Sequence, residues 1–369
     1  MSSIAYGGQL PLSFAELAGS VDAIAKWCEP GFHAVRTLAA RVLGRLDFDI
    51  SRHDPQRIAL LGATALTGQV SRDALIRTGR ADSRFILNQC SNIPLAAAAS
   101  EHGLQGPCFS VSSACASSAH AVYLASQLIQ AGAIDAALVV GFEFPIEPAA
   151  VGGLDWIGAL YRRDDPADRG YTNPTAASRP FSRDRRGFVL AEGAGAVFLS
   201  DLDYARRMDW PVNATIRGAA TNADADHLTR ASVESVTVCI ERALAAADCS
   251  ADDIDCINAH ATSTPVGDAA ELAALHRVFG DRLADVPIVA NKSQIGHSLG
   301  AAAMLALILA VHGMQTGVLL PTLNHVPDPA LPKTLIRPLA IEQPHQRTLV
   351  NAFGFGGTNV CLVVERRPS

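Results

Sequence analysis

The sequence of 369 residues has no CxxC pair; its eight cysteines lie scattered at positions 28, 90, 108, 115, 239, 249, 256 and 361. That excludes a zinc-ribbon framework and fits reduced thiols in a cytoplasmic protein. It has no excess of positive charge: 30 Lys and Arg stand against 36 Asp and Glu, a net −6, so no nucleic-acid surface is expected. The opening stretch MSSIAYGGQLPLSF has no basic segment followed by an apolar run, and no signal peptide is expected. The most apolar helical run, 299–311, covers 13 residues bracketed by His297 and His312, short of the roughly 20 that span a bilayer. No strand–GxGxxG–helix segment or phosphate-loop lysine is present, which excludes those nucleotide sites. Aromatics are 6% and charged residues 18%, while apolar residues reach 49%. With so much Ala and Gly, a compact soluble protein with closely packed helices and strands is expected.

What is there alternates. Apolar runs predict strands at 57–65, 107–111, 136–142 and 195–200, and helical spacing predicts helices near 93–103, 115–131 and 148–160. From 211 the outline repeats: strand 211–221, helix 231–247, strand 254–260, helix 266–279, strand 286–291, helix 298–315, then strands near 347–353 and 358–365. Such alternation predicts an α/β fold with mainly buried sheets. Two halves follow, 1–205 and 206–369, alike in outline with no obvious sequence repeat. The polar, proline-containing stretch 162–187 is expected to be a functional surface loop.

Four segments carry polar residues in apolar surroundings. In SVSSACASSAH, Cys115 falls where a strand turns into a helix, and a helix N-terminus favours a thiolate. Alone this is weak, because a buried free cysteine is more often inert packing. In INAHATSTPVGDAAE, His260 ends a strand and Thr262 and Thr264 follow; strand ends are where α/β sheets bind ligands. In NKSQIGHSLGAAAM, Lys292 and His297 precede a very apolar helix, whose N-terminus would keep the imidazole neutral. In NAFGFGGTNV, three glycines surround Phe355 and allow close approach of a substrate to main-chain N–H groups. One thiol with two histidines suggests acyl transfer through a thioester. A cysteine hydrolase needs one base and an orienting Asn or Asp; a second neutral imidazole suits stabilisation of an enolate or oxyanion.

With GPCFSVSSACASSAH, RPFSRDRRGFVLAEGAGAVFL, INAHATSTPVGDAAE, NKSQIGHSLGAAA and NAFGFGGTN in this order, the chain resembles the elongating β-ketoacyl-acyl carrier protein synthases, condensing enzymes of the thiolase fold. The resemblance runs from about residue 57 to the C-terminus and implies a five-layered α-β-α-β-α sandwich of two similar halves. It implies that Cys115 takes an acyl group from a carrier protein's phosphopantetheine. His260 and His297 would hold a malonyl-type extender through decarboxylation, and the backbone N–H groups of Cys115 and Phe355 would form the oxyanion hole. Phe355 would gate the acyl pocket, Lys292 would pair with Glu271 to hold His297, and Thr262 and Thr264 would bind the pantetheine arm. Phe188 and Asn359 match positions near the site.

The resemblance also implies no cofactor or metal of its own, an acyl carrier protein as partner, and a dimer built on 107–111, either homodimeric or with a related subunit. Fatty-acid or polyketide biosynthesis is the implied setting. Arg162, Arg163, Arg183, Arg185 and Arg186 are candidates for docking the acidic carrier. The chain departs from the family with a poorly matching first 56 residues, Ser182 and Arg186 for Asp, and Ala191 and Ala261 for Gly, marking it as short and divergent. Three alternatives stay open: the active half of a ketosynthase/chain-length-factor pair, a non-decarboxylating acyltransferase, and a non-catalytic structural subunit. The last subtype lacks the cysteine that is present here.

Overall fold

The structure, a computed structural model, describes residues 2–9 (backbone), 29–226, 228 and 231–367; Cys28 lies outside the described residues. In the first half, β1 is Ser2–Gln9, β2 Ile58–Ala63, β3 Cys108–Val111, β4 Ala136–Glu143 and β5 Gly193–Asp201. In the second, β6 is Ala214–Ala223, β7 Cys256–Asn258, β8 Pro287–Val289, β9 Leu335–Ile336, β10 Arg347–Gly354 and β11 Thr358–Arg366. The first set is ordered β3-β2-β4-β5-β1 and the second β8-β7-β10-β11-β6, with β9 added beyond β8. Both sets run third, second, fourth, fifth, first. The senses repeat too: the fifth strand is antiparallel to its fourth and first neighbours, and the rest are parallel. A short antiparallel join of Ser2–Ile4 to Ala214–Ile216 links the two sets.

Helices cover both faces of each sheet, so its inner strands can be apolar throughout instead of alternating. β2 (IALLGA) and β4 (AALVVGFE) are buried at every position. The helices α1 (Pro30–Arg45) and α2 (Ile93–His102) cover the outer face of the first sheet. Between the sheets lie α3 (Ser117–Gln130) and α6 (Ala302–Thr316), packed on β2, β4 and β5 from one side and β10 and β11 from the other. The helices α4 (Val233–Ala246) and α5 (Pro265–Phe279) cover the outer face of the second sheet. This is the expected five-layered sandwich.

Two expectations change. The apolar run at 299–311 belongs to a helical stretch of 18 residues, Leu299–Thr316, long and apolar enough to cross a membrane by length and composition alone. It is 78% buried inside the protein, because a helix in a central layer meets apolar neighbours all round. The strand and helix signals begin at position 57, yet β1 and α1 precede it. The buried stripe of α1 (Val35, Leu38, Ala39, Val42) has helical spacing, and Pro30 opens the helix where its missing N–H costs nothing.

Candidate active site

The turns at the C-terminal ends of the parallel strands converge between the two halves. Cys115 lies on the turn from β3 into α3, one residue before Ala116, which caps the helix beginning at Ser117. That turn forces Ala114 into the left-handed region, φ +49°, a strain that the surroundings must hold. The Ser117 hydroxyl does part of this, accepting from the Ser113 N–H at 2.9 Å and donating to the Ala114 carbonyl at 2.6 Å. The thiol is 5% exposed. Its Sγ stands 3.1 Å from His297 Nε2, and the backbone N–H groups of Phe355 and Cys115 address it.

The expected thiolate is not what the site holds at rest. Burial pushes the Cys115 thiol up to about 12, outweighing Lys292 and the two N–H groups, because a dry, enclosed sulfur pays more for its charge than nearby dipoles return.

His297 is fixed by its main chain, its N–H donating to Val189 at 2.8 Å and its carbonyl accepting from Ala191 at 3.1 Å. The ring meets Phe188 edge-on, centroids 4.9 Å apart. It is neutral as expected, for a different reason: burial first, then Lys292, lower its pKa. His260, at the end of β7, presents its ring nearly perpendicular to that of His297, centroids 5.7 Å apart. Burial, Lys292 and His297 keep it neutral as well. Two uncharged imidazoles thus face one thiol.

Glu271 and Lys292 act on the backbone of His260. Glu271 accepts from the N–H groups of His260 at 2.8 Å and Ala261 at 2.7 Å and from Asn351 Nδ2 at 3.0 Å. The Lys292 ammonium donates to the His260 carbonyl. The expected direct Lys292–Glu271 pair is therefore corrected: the two groups grip opposite sides of one peptide segment. Burial raises the Glu271 pKa and lowers that of Lys292 to about 8, and in each case the other's charge opposes the shift. Ala261, where the family has Gly, sits at φ +31°, so the brace holds a residue with a Cβ in a region that favours glycine.

Cys115, His260, His297, Phe188, Thr262, Thr264, Phe355 and Asn359 all line one cavity of about 480 Å³, while Lys292 and Glu271 lie behind its wall. The hydroxyls of Thr262 and Thr264 are 3.0 Å apart. Asn359 donates to Asp224 at 2.7 Å and to Asn222 at 3.0 Å, and the Asp224 N–H donates to Gly357 at 2.7 Å. Asp224 thus anchors the glycine-rich turn, in which Gly356 and Gly357 take φ +88° and +69°. Nothing in the local sequence marks Asp224.

Asp268, inside the segment INAHATSTPVGDAAE but not singled out there, accepts from the N–H groups of Phe181 at 2.7 Å and Ser263 at 3.0 Å, tying the polar loop to the His260 turn. Burial pushes its carboxyl up to about 7. An acidic residue in the first turn of α5 was the available signal.

The arginines expected to dock a carrier are largely committed within the chain. Arg185 is 7% exposed at its side chain and pairs with Asp328 at 3.0 Å. Arg186 pairs with Asp165 at 3.2 Å, Arg162 with Asp155 at 2.7 Å, and Arg163 lies over the Tyr171 ring. Among the described residues, Arg183 alone of the five has no such ion pair or ring contact. Ser182, in place of the family's Asp, is fully buried and donates to Asp184 at 2.5 Å.

Residues 28–205 match the family model "Beta-ketoacyl synthase, N-terminal domain" and residues 213–326 match "Beta-ketoacyl synthase, C-terminal domain". Among curated proteins, the chain is 38% identical over 278 residues to the chloroplastic 3-oxoacyl-[acyl-carrier-protein] synthase I of Arabidopsis thaliana. That alignment covers 74% of this chain and 57% of the plant protein, so the chain spans under two thirds of that relative's length. It is 33% identical over 299 residues to 3-oxoacyl-[acyl-carrier-protein] synthase 2 of Coxiella burnetii, covering 80% of this chain and 70% of the relative. Among solved structures, a type II polyketide ketosynthase in complex with its acyl-carrier protein superposes with a TM-score of 0.83 at 25% identity, over 91% of this chain and 84% of the other. The duplicated sheet order, the thiol and two imidazoles on one cavity and these matches agree, and the chain belongs to the β-ketoacyl synthase family of the thiolase fold.

Proposed function

We propose that the protein is a β-ketoacyl-acyl carrier protein synthase, joining a Cys115-bound acyl group to a malonyl-type extender with loss of CO2. The observation that carries this reading is the 3.1 Å contact between Cys115 Sγ and His297 Nε2, with His260 facing the same cavity. As the sulfur attacks the thioester carbonyl of an acyl carrier, its proton passes to His297 Nε2. The oxyanion that forms lies toward the N–H groups of Cys115 and Phe355, dipoles already in place when the charge develops. Collapse expels the carrier's thiol, which takes the proton from His297, and leaves the acyl group on sulfur.

The extender then enters with both imidazoles neutral; His260, and His297 once its single proton sits on Nε2, can each donate a hydrogen bond to its thioester carbonyl. Loss of CO2 leaves an enolate that these bonds stabilise. Its carbon attacks the acyl-Cys115 carbonyl, the β-ketoacyl product forms, and the sulfur leaves as a thiolate that takes a proton from solvent to restore the resting thiol. Thr262 and Thr264, on the cavity wall, would hydrogen-bond the pantetheine arm, which the substrate brings itself. No cofactor of the enzyme's own enters these steps.

The partner that fits is an acyl carrier protein, and the enzyme would work as a dimer through β3. That edge strand exposes Cys108 and Phe109, and an uncovered apolar edge calls for a second strand. The seven described cysteines are all free, which supports a reducing, cytoplasmic setting. Intact-mass detection of acyl-Cys115 together with CO2 release from malonyl-carrier protein tests the reading. Acylation without CO2 would make the protein a plain acyltransferase; neither would sink the proposal.

A further inference from the structure

We propose that Glu143 is a positioning residue that sets acyl-chain selectivity by fixing the apolar wall beside Cys115; this rests on the acyl-transfer reading above. Glu143 ends β4 and is fully buried. Its Oε2 accepts from the N–H groups of Ala65 at 2.6 Å and Gly300 at 2.9 Å. Its Oε1 accepts from the Leu66 N–H at 3.0 Å and the Thr64 hydroxyl at 3.3 Å. All four partners are neutral donors, and a buried carboxylate is tolerated only when bonded this completely.

The donors come from both halves of the molecule. Thr64–Leu66 is the exit of β2, and Gly300 is three residues past His297. They meet so closely that a Cβ on Gly300 would lie 2.4 Å from Ala65 N and 2.6 Å from Glu143 Oε2. Leu299 is held at φ +36°, a conformation that persists only under constraint. The side chains next to these bonds, Leu66 and Leu299, cluster with Cys115, Ala159 and Phe188. Of that cluster Cys115, Ala159 and Phe188 line the cavity, and Leu66 and Leu299 pack behind them, so a shift of the two leucines reaches an acyl chain through the wall they support. Glu143 does not line the cavity, so it acts through the two segments it joins and never touches substrate.

The test compares wild type with Glu143→Gln, whose amide would turn a donor toward donors, and with Thr64→Val, which removes the longest of the four bonds and the 3.0 Å bond of the same hydroxyl to the Leu66 carbonyl but keeps the carboxyl. Each folded variant is assayed for Cys115 alkylation by iodoacetamide and for kcat/KM of acyl loading from short, medium and long acyl carriers. Alkylation is expected to stay within about twofold of wild type in T64V and to rise in E143Q, which removes a negative charge that raises the Cys115 pKa. The ratio of kcat/KM between long and short chains is expected to move by about fivefold or more in E143Q, and by about twofold in the same direction in T64V, as a reshaped apolar pocket requires. An unchanged ratio, or an equal loss at every length, overturns the proposal. If E143Q gives no cooperative melt, T64V decides by the same ratio. Wild type that loads no acyl chain would instead overturn the acyl-transfer function itself.

Discussion

The two halves share a strand order and use equivalent turns for different work. In the first half the turn after the third strand, β3, carries Cys115 into the central helix α3. In the second, the turn after β8 carries Lys292 and His297 into the central helix α6. The first turn is built of small residues and held by one serine hydroxyl. The second neighbours a carboxylate and an ammonium that clamp the His260 segment. Duplicated topology thus brings Cys115 from one side and His260 and His297 from the other to a single cavity. The outer edges differ as well. β8 is covered by β9, whereas among the described residues β3 has no strand beyond it and exposes Phe109 at 37%.

Removing the first half's contribution should have the largest effect. Cys115→Ala is expected to lower condensation by roughly 10³-fold or more, with a melt close to wild type because alanine fits the turn; carrier-dependent product formation checks it. The second half's two histidines should then separate. His297→Ala is expected to cut both acyl loading and CO2 release, by about 10²-fold each, since a thiol held near 12 by burial needs its base. His260→Ala should cut CO2 release while loading stays within about tenfold. Equal loading in the two variants would erase the asymmetry argued for the thiol contact.

The clamp of the second half should outweigh the serine of the first in stability. Glu271→Ala strands three donors and is expected to cost about 3 kcal/mol, read from a denaturant melt. At the open edge of the first sheet, Phe109→Lys should shift the protein from dimer to monomer in light scattering by about tenfold in dissociation constant, a like charge meeting its copy. Ser117→Ala, which loses one accepted and one donated bond at the nucleophile turn, should cost about 1 kcal/mol.

The nucleophile and both histidines could be found in the chain because each interrupts an apolar run beside small residues, a local pattern. The braces could not. Glu143 closes an apolar strand with no motif around it, and Asp224 sits more than a hundred residues from Asn359, the side chain it holds. The alternation of strands and helices was legible for the same reason as the motifs: periodicity is a property of neighbours in sequence. The motifs begin near residue 57, but the family model reaches back to residue 28 and takes in α1, whose Pro30 start and helical apolar spacing are local signals too.

By itself, the sequence determined the α/β alternation, the identity of the thiol and the two imidazoles, and the family, since these depend on residue type and short-range order. Only the tertiary structure decided the protonation of the site. Proximity to a helix start argued for a thiolate, but Cys115 is buried at the base of the cavity and burial raises its thiol pKa more than the nearby dipoles lower it. The same enclosure turned an expected Lys292–Glu271 pair into two grips on the His260 backbone, because a buried segment's N–H and carbonyl groups must find partners wherever the fold supplies them.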